Sequence, residues 1–232
     1  MVKLSVIIPA YNEQARIQDT LDRCISFLGR QLYQSELIVV ENGSTDETAQ
    51  LVRMKQLDCS WLRMIQLDEG DKGQAVRAGM LQAQGELRYM ADADLSTDIG
   101  ELRRFIGLKY QTGADLVIGV RDPIIGQTKL RELMSRGFGL ATGLLLGFGY
   151  PDTQAGFKLF SASAAEQIFG RLQVMGWAFD VEVLHLAQQL DLSVAQLPIP
   201  WLAQPGSKVR PLVPLRMLLD LARIRASSYE MA

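Results

Sequence analysis

Thiol and imidazole groups are scarce in this chain. Its 232 residues include two cysteines, Cys24 and Cys59, and one histidine, His185, in no metal-ligand spacing. A Cys/His zinc centre cannot be assembled from that set, and the count suits reduced cytosolic thiols rather than a disulfide framework. Charge of one sign is lacking too. The formal net charge is −2 with acids and bases interspersed, so no basic tail points to nucleic acid and no acidic block to disorder. The uncharged stretch at residues 137–151 has 15 residues and several glycines, short of the ~18–20 apolar residues of a membrane-spanning helix. The chain enters Lys3-Leu4-Ser5-Val6-Ile7-Ile8-Pro9 with no signal or transit pattern. A cytoplasmic protein that stays where it is made is therefore expected.

What is present is apolar content, 48% of the residues, enough for a sizeable core. Short β-rich runs at 4–8, 37–40, 62–67, 87–91 and 116–120 alternate with helical patterns at 17–28, 45–57, 72–84 and 98–112. That rhythm predicts an α/β fold, a mostly parallel central sheet flanked by helices. After Arg121 the pattern changes. A polar, glycine-containing segment precedes a helix over about 130–146, and strands are expected at 156–161 and 194–198, with a helix over 179–190 between them. Near the carboxy terminus Leu215, Leu218, Leu219 and Ala222 form one stripe of a helix and Arg216, Asp220, Arg223 and Ser227 another. Such a helix packs on a core or rests on a membrane surface.

Asp92-Ala93-Asp94 directly follows the fourth predicted strand. Two carboxylates there can hold Mg²⁺ or Mn²⁺ against a diphosphate, because these cations take oxygen ligands from one or two carboxylates, phosphate and water. Open α/β sheets bind ligands at the carboxyl ends of their strands. Two other ends carry polar motifs. At the first, Pro9 is expected to stop the strand, Tyr11 to stack on a base and Glu13 to meet ribose hydroxyls. At the second, Glu41 or Asn42 can pair with a base edge, Gly43 permits the turn, and Ser44 or Thr45 can cap the next helix. Lys72, opening a helix, can place an ammonium on the diphosphate, and the helix terminus itself favours anions.

The strings SVIIPAYNE, ENGSTDET, DKGQAVRAGM and ADADLSTD, in this order, resemble the inverting glycosyltransferases of family 2, which have the GT-A fold. DTQAGFKLF, WAFDVEVL and GSKVR look like the branch of dolichyl-phosphate glucosyltransferases, neighbour to the dolichyl-phosphate mannose synthases. Many relatives have Asp-Asp-Gly-Ser where this chain has Glu41-Asn42-Gly43-Ser44, so a neutral asparagine stands where a charge is usual. The resemblance implies that Asp92 and Asp94 form the metal and diphosphate pair, Asp94 being the direct ligand. Pro9, Tyr11 and Glu13 become the nucleoside wall, and Glu41, Asn42, Lys72 and Ala93 complete the donor site. It implies a nucleotide-binding half over about 1–120, an acceptor half over about 121–211 and a carboxy-terminal amphipathic helix over 212–232. The membrane anchor with which many of that branch begin is not seen, so a soluble or peripheral enzyme is expected.

The expected reaction moves a hexose, glucose from UDP-glucose ahead of mannose from GDP-mannose, onto a polyprenyl phosphate at the cytosolic membrane face. Cations in the second half suggest an anionic acceptor: Arg121, Arg131, Arg136, Lys158, Lys208 and Arg210, with Gln154 beside them. Asp94, Asp152 and Arg131 are the candidates for the chemistry itself. A phosphate monoester, with a second pKa of ~6, needs no strong general base. A sugar hydroxyl would need one, and Asp152, Asp180 and Glu182 are the candidates, Asp152 first. Asp180 and Glu182, two apart on a helix, lie about 200° from each other, so only one can face the site. The rival readings are transfer to a saccharide hydroxyl, a non-catalytic nucleotide-sugar-binding module, and a nucleotidyltransferase. The last would call for a glycine- and lysine-rich loop near Pro9, which is missing.

Overall fold

The computed structural model describes residues 2–68, 70–126, 129–147, 149–204, 213–227 and 229, with backbone alone at 123, 129–136 and 213–215. The expected βαβ rhythm occupies the first half. Strands β1 (Leu4–Ala10), β2 (Ser35–Asn42), β3 (Leu62–Leu67) and β4 (Leu87–Met90) alternate with helices α1 (Ile17–Leu28), α2 (Thr48–Asp58) and α3 (Lys72–Gln82). A 3₁₀ turn at Ile99–Glu101, capped by the Asp98 carboxylate accepting from Gly100 N, leads into α4 (Leu102–Thr112). There follow β5 (Leu116–Ile125), α5 (Lys129–Leu146), β6 (Lys158–Ser161), α6 (Ala162–Arg171), α7 (Phe179–Gln189), β7 (Val194–Leu202) and α8 (Val213–Ala226).

One seven-stranded sheet joins these strands in the order β3-β2-β1-β4-β6-β5-β7. Every pairing is parallel except those of β6, which runs against both β4 and β5. Six strands thus point the same way, and their carboxyl ends form a single edge. Alternation along each strand feeds two cores. Val6, Ile8, Leu37 and Val39 pack under α1, α2 and α4, while Ile7, Ile38 and Val40 pack under α3, α6, α7 and α8.

Four features depart from the sequence expectations. β1 runs through Pro9 instead of stopping there, which a proline tolerates where one side of the strand is unpaired. The β1–β4 pairing ends at Ile7 and Met90, so Pro9 has a neighbour only in β2. β5 extends to Ile125 because β7 pairs it past Arg121, with an irregularity between Arg121 and Ile124. Helix α6, absent from the sequence reading, starts where the Ser161 hydroxyl accepts from Ala164 N. In α8 the buried stripe is Met217, Leu221 and Ile224, while Leu218 and Leu219 face outward.

Candidate active site

The first two strand ends are laced to each other. Asn12 adopts φ 52°, a left-handed conformation that asparagine tolerates, and this turns its amide and side chain toward the second loop. Asn12 N donates to Ser44 Oγ at 2.9 Å, and Asn12 Oδ1 accepts from Thr45 N at 2.8 Å. Glu13 N donates to Thr48 Oγ1 at 2.7 Å. Neither Ser44 nor Thr45 caps helix α2: the N-cap position is Glu47, with no side-chain cap bond, and Asp46 ahead of it accepts from Thr48 N at 3.0 Å. Glu41 is buried and pins its own turn by accepting from Ser44 N at 2.5 Å, and Asn42 Nδ2 donates to Gly70 O at 2.6 Å. Tyr11 stays largely exposed at the mouth, while the Glu13 carboxylate pairs with Arg16 Nε at 2.7 Å.

The third end carries Asp92-Ala93-Asp94 in a tight turn. Leu95 N donates to Asp92 O at 3.1 Å, and Leu95 itself takes φ 42°, a costly conformation for a leucine. The turn is held from above by α1, whose Thr20 Oγ1 donates to Ala93 O at 2.6 Å. Asp94 Oδ1 accepts from Ser96 N at 3.0 Å. Asp92 Oδ1 meets Lys72 Nζ at 2.6 Å, both side chains being mostly shielded. Its other oxygen lies against Gly156, where a Cβ would stand 1.9 Å from Oδ2. No residue but glycine fits there without moving the carboxylate.

Lys72 is the first residue of α3, and the main chain seats it. Gly73 N donates to Met175 O at 2.7 Å, and a Cβ at Gly73 would lie 2.6 Å from that oxygen. The same loop brings the Trp177 ring to 5.6 Å from the Lys72 ammonium, a cation–π contact that makes Trp177 part of the site. Burial alone would depress the lysine, but Asp92, Asp180 and Asp94 around it hold its pKa above the ordinary value.

The region expected to take the acceptor holds two ion pairs. Arg121 grips Asp152 bidentately, Nε to Oδ2 at 2.6 Å and Nη2 to Oδ1 at 2.9 Å, with Trp201 stacked on the guanidinium at 5.4 Å. Asp152 also accepts from Arg121 N and Gln154 N. Burial would raise this carboxyl, yet the arginine and the amides hold it below the ordinary value, the opposite of what a general base requires. Lys158, expected among the acceptor cations, is 1% exposed and donates to Asp180 Oδ1 and Ala155 O, both at 2.6 Å. It cannot reach a surface ligand. Burial pushes the Asp180 carboxyl up despite Lys158 and Lys72 nearby. Glu182 points elsewhere, as the helical spacing requires, and accepts from Gln173 N, Val174 N and Tyr229 Oη. Gln154 reaches Met217 of α8 at 3.9 Å. The side chains of Arg131 and Arg136, and all of Lys208 and Arg210, lie outside the described residues.

Among the described residues no three His, Cys, Asp or Glu side chains converge on one point. Asp92 and Asp94, in one tight turn, are the candidate pair for a cation. That oxygen-only set fits Mg²⁺ or Mn²⁺ with a diphosphate and water completing the shell, and does not fit zinc.

The Glycosyl transferase family 2 model matches residues 5–169. A dolichyl-phosphate beta-glucosyltransferase of Dictyostelium discoideum is 35% identical across 97% of this chain and 74% of its own length. The human protein of that name is 33% identical across 96% of this chain and 75% of its own. Among solved structures, glucosyl-3-phosphoglycerate synthase from Mycobacterium tuberculosis in complex with UDP superposes with a TM-score of 0.70 at 21% identity, covering 98% of this chain and 81% of that one. Mannosyl-3-phosphoglycerate synthase from Rubrobacter xylanophilus gives 0.72 at 17% identity, covering 97% and 73%. The fold is thus GT-A, and the family match takes in the three strand ends, the Asp92-Ala93-Asp94 turn and the antiparallel strand behind it: the chain belongs to glycosyl transferase family 2.

Proposed function

We propose that this glycosyltransferase moves glucose from UDP-glucose to a polyprenyl phosphate, with inversion and with a divalent cation. The observation that carries the acceptor assignment is the state of the three candidate bases. Asp152 is neutralised by Arg121, Asp180 is buried on Lys158, and Glu182 faces the 173–174 loop. A hydroxyl acceptor would need one of them free to take a proton, whereas a phosphate monoester is largely a dianion at neutral pH. The names of the relatives, dolichyl-phosphate beta-glucosyltransferases, support the same acceptor. UDP-glucose draws support from another complex of the M. tuberculosis synthase, which contains Mn²⁺ and UDP-glucose.

In the reaction a phosphate oxygen of the lipid forms a bond to the anomeric carbon from the face opposite UDP, the bond from that carbon to the diphosphate oxygen breaks, and UDP leaves. Asp94 and Asp92 would hold the cation, which when bound offsets the charge growing on the departing diphosphate. Lys72 and the amino terminus of α3 add positive potential at the same place. The donor site belongs to the ends of β1, β2 and β4, residues 1–120. The acceptor site belongs to residues 121–211, with α8 closing its side through Met217 against Gln154.

A lipid acceptor calls for a seat at a membrane surface. Among the described residues no helix is long and apolar enough to cross a bilayer. The neighbouring helices α5 and α8 expose Leu140, Leu144, Leu145, Leu218 and Leu219 beside Arg216, Arg223 and Arg225, a composition suited to an anionic interface. This supports peripheral docking on a membrane surface. The test is a donor screen with a short-chain polyprenyl phosphate and Mn²⁺, reading nucleotide release and product mass. UDP-glucose should give a glucosyl phospholipid. Release of UDP with no lipid product, or turnover with GDP-mannose alone, would contradict the assignment.

A further inference from the structure

Around the Asp92-Ala93-Asp94 turn the described residues form three ion pairs. Lys72 pairs with Asp92, Arg121 with Asp152 and Lys158 with Asp180, whereas Asp94 makes no ion pair among the described residues. Asp92 is the constrained member of the metal pair. One oxygen carries the Lys72 ammonium at 2.6 Å and the other is pressed on the Gly156 backbone. A cation that is to use Asp92 must therefore displace the ammonium. Lys72 has an alternative partner in the same place, because it stands at the amino terminus of α3, where the helix dipole and an anion attract each other.

We propose that Lys72 is a latch on the metal site, holding Asp92 until a nucleoside diphosphate takes the ammonium, so that cation and donor bind as a unit. The inference rests on the donor reading above and deepens it. With Lys72 on Asp92, a metal ion meets one available carboxylate, Asp94, and binds weakly. When the diphosphate arrives, the ammonium turns to it, Asp92 is released, and the cation gains a second carboxylate together with phosphate oxygens. Trp177 can stay against the ammonium in both arrangements, since a cation–π contact does not require the carboxylate. Lys72 then governs the coupling between two ligands as well as the affinity for one of them.

The latch gives Lys72→Gln effects of opposite sign on the two ligands. Binding of Mn²⁺ to the full chain is read from the free-ion electron paramagnetic resonance signal, with and without UDP, and melting curves verify folding. In the unmodified protein UDP should strengthen Mn²⁺ binding at least about tenfold. Lys72→Gln should strengthen Mn²⁺ binding in the absence of UDP by about tenfold, since a unit positive charge leaves the carboxylate, and should weaken UDP. Lys72→Arg should keep the original behaviour. Independently, Asp92→Asn should weaken UDP-free Mn²⁺ binding, since the Lys72 ammonium is left unbalanced beside Asp94, but by clearly less than Asp94→Asn, which should abolish it. A folded Lys72→Gln protein whose UDP-free Mn²⁺ affinity is unchanged or weaker overturns the latch and leaves the donor reading intact. So does equal weakening by Asp92→Asn and Asp94→Asn, a comparison that stands even if Lys72→Gln does not fold. Failure of the unmodified protein to bind UDP with or without Mn²⁺ overturns the donor reading and the latch with it.

Discussion

At the carboxyl ends of β1 and β2 the loops are tied mainly by hydroxyl, amide and main-chain hydrogen bonds, as between Asn12, Ser44 and Thr45. At the ends of β5 and β6 the ties are buried ion pairs, Arg121 with Asp152 and Lys158 with Asp180. The two kinds of tie fail differently. A neutral hydrogen bond contributes about 1 kcal/mol and can be lost singly, whereas removing one member of a buried pair leaves a stranded charge and costs about 3–5 kcal/mol. The donor side is therefore a neutral frame holding a few functional charges. On the other side, among the described residues, the candidate bases Asp152, Asp180 and Glu182 are all engaged within the frame.

The contrast can be broken first at its strongest point. Lys158→Met should destabilise the fold by about 3–5 kcal/mol in denaturant unfolding, and adding Asp180→Leu should recover most of the loss. A neutral single variant would mean that the pair holds nothing. Next in size, Asp94→Asn should cut UDP release about 10²–10³-fold with little change in melting temperature, in keeping with loss of a group that stabilises leaving-group charge. Gly156→Ala should follow, costing about 1–3 kcal/mol as its methyl meets the Asp92 carboxylate, and raising KM for the donor. On the neutral side Asn12→Ala, which removes the acceptor for Thr45 N, should cost only about 1 kcal/mol, the worth of a single hydrogen bond.

The smallest effect is in the pH dependence. Asp152 has a depressed pKa in the fold, chiefly because its bonds to Arg121 outweigh burial. Its stabilisation is therefore fully present above the ordinary aspartate value of 3.8 and lost as pH falls through the lower folded value. Arg121→Gln should flatten stability against pH in that acid window alone. An unchanged acid limb would place the pair's contribution elsewhere.

The donor side was legible because each of its motifs is contiguous: a strand, its polar end and the following helix start are read from one string. Asp92, Asp94 and Lys72 emerge that way, and the structure brings them together. The details of the turn before α2 did not emerge, since Ser44, Thr45 and Asp46 are all able to accept from main-chain N–H groups there and only the fold shows Asp46 accepting from Thr48 N. Nor did the acceptor side, where pairing decides the meaning of each charge. Lys158 and Asp180 lie 22 residues apart, and Arg121 and Asp152 lie 31 apart. Periodicity does not report such meetings, so Lys158 reads as a surface cation and Asp152 as a free base. The antiparallel β6 offered one signal. Lys158 shares its face of the strand with the buried Phe160, and a lysine on a face covered by a core must find an anion. Helix α6 escaped because its apolar stripe, Ala164, Ala165, Ile168 and Phe169, is short and starts directly from a strand.

The central claim is that the acceptor is a phosphate which attacks without help from a protein base. It is tested most directly by offering the enzyme labelled UDP-glucose, Mn²⁺ and equal amounts of a short polyprenyl phosphate and the corresponding polyprenol. The expected product is glucosyl polyprenyl phosphate alone, with a rate that rises with the second ionisation of the phosphate near pH ~6 and then stays flat. Glucosylation of the alcohol at a comparable rate, or a rate governed by a protein carboxylate, would contradict it.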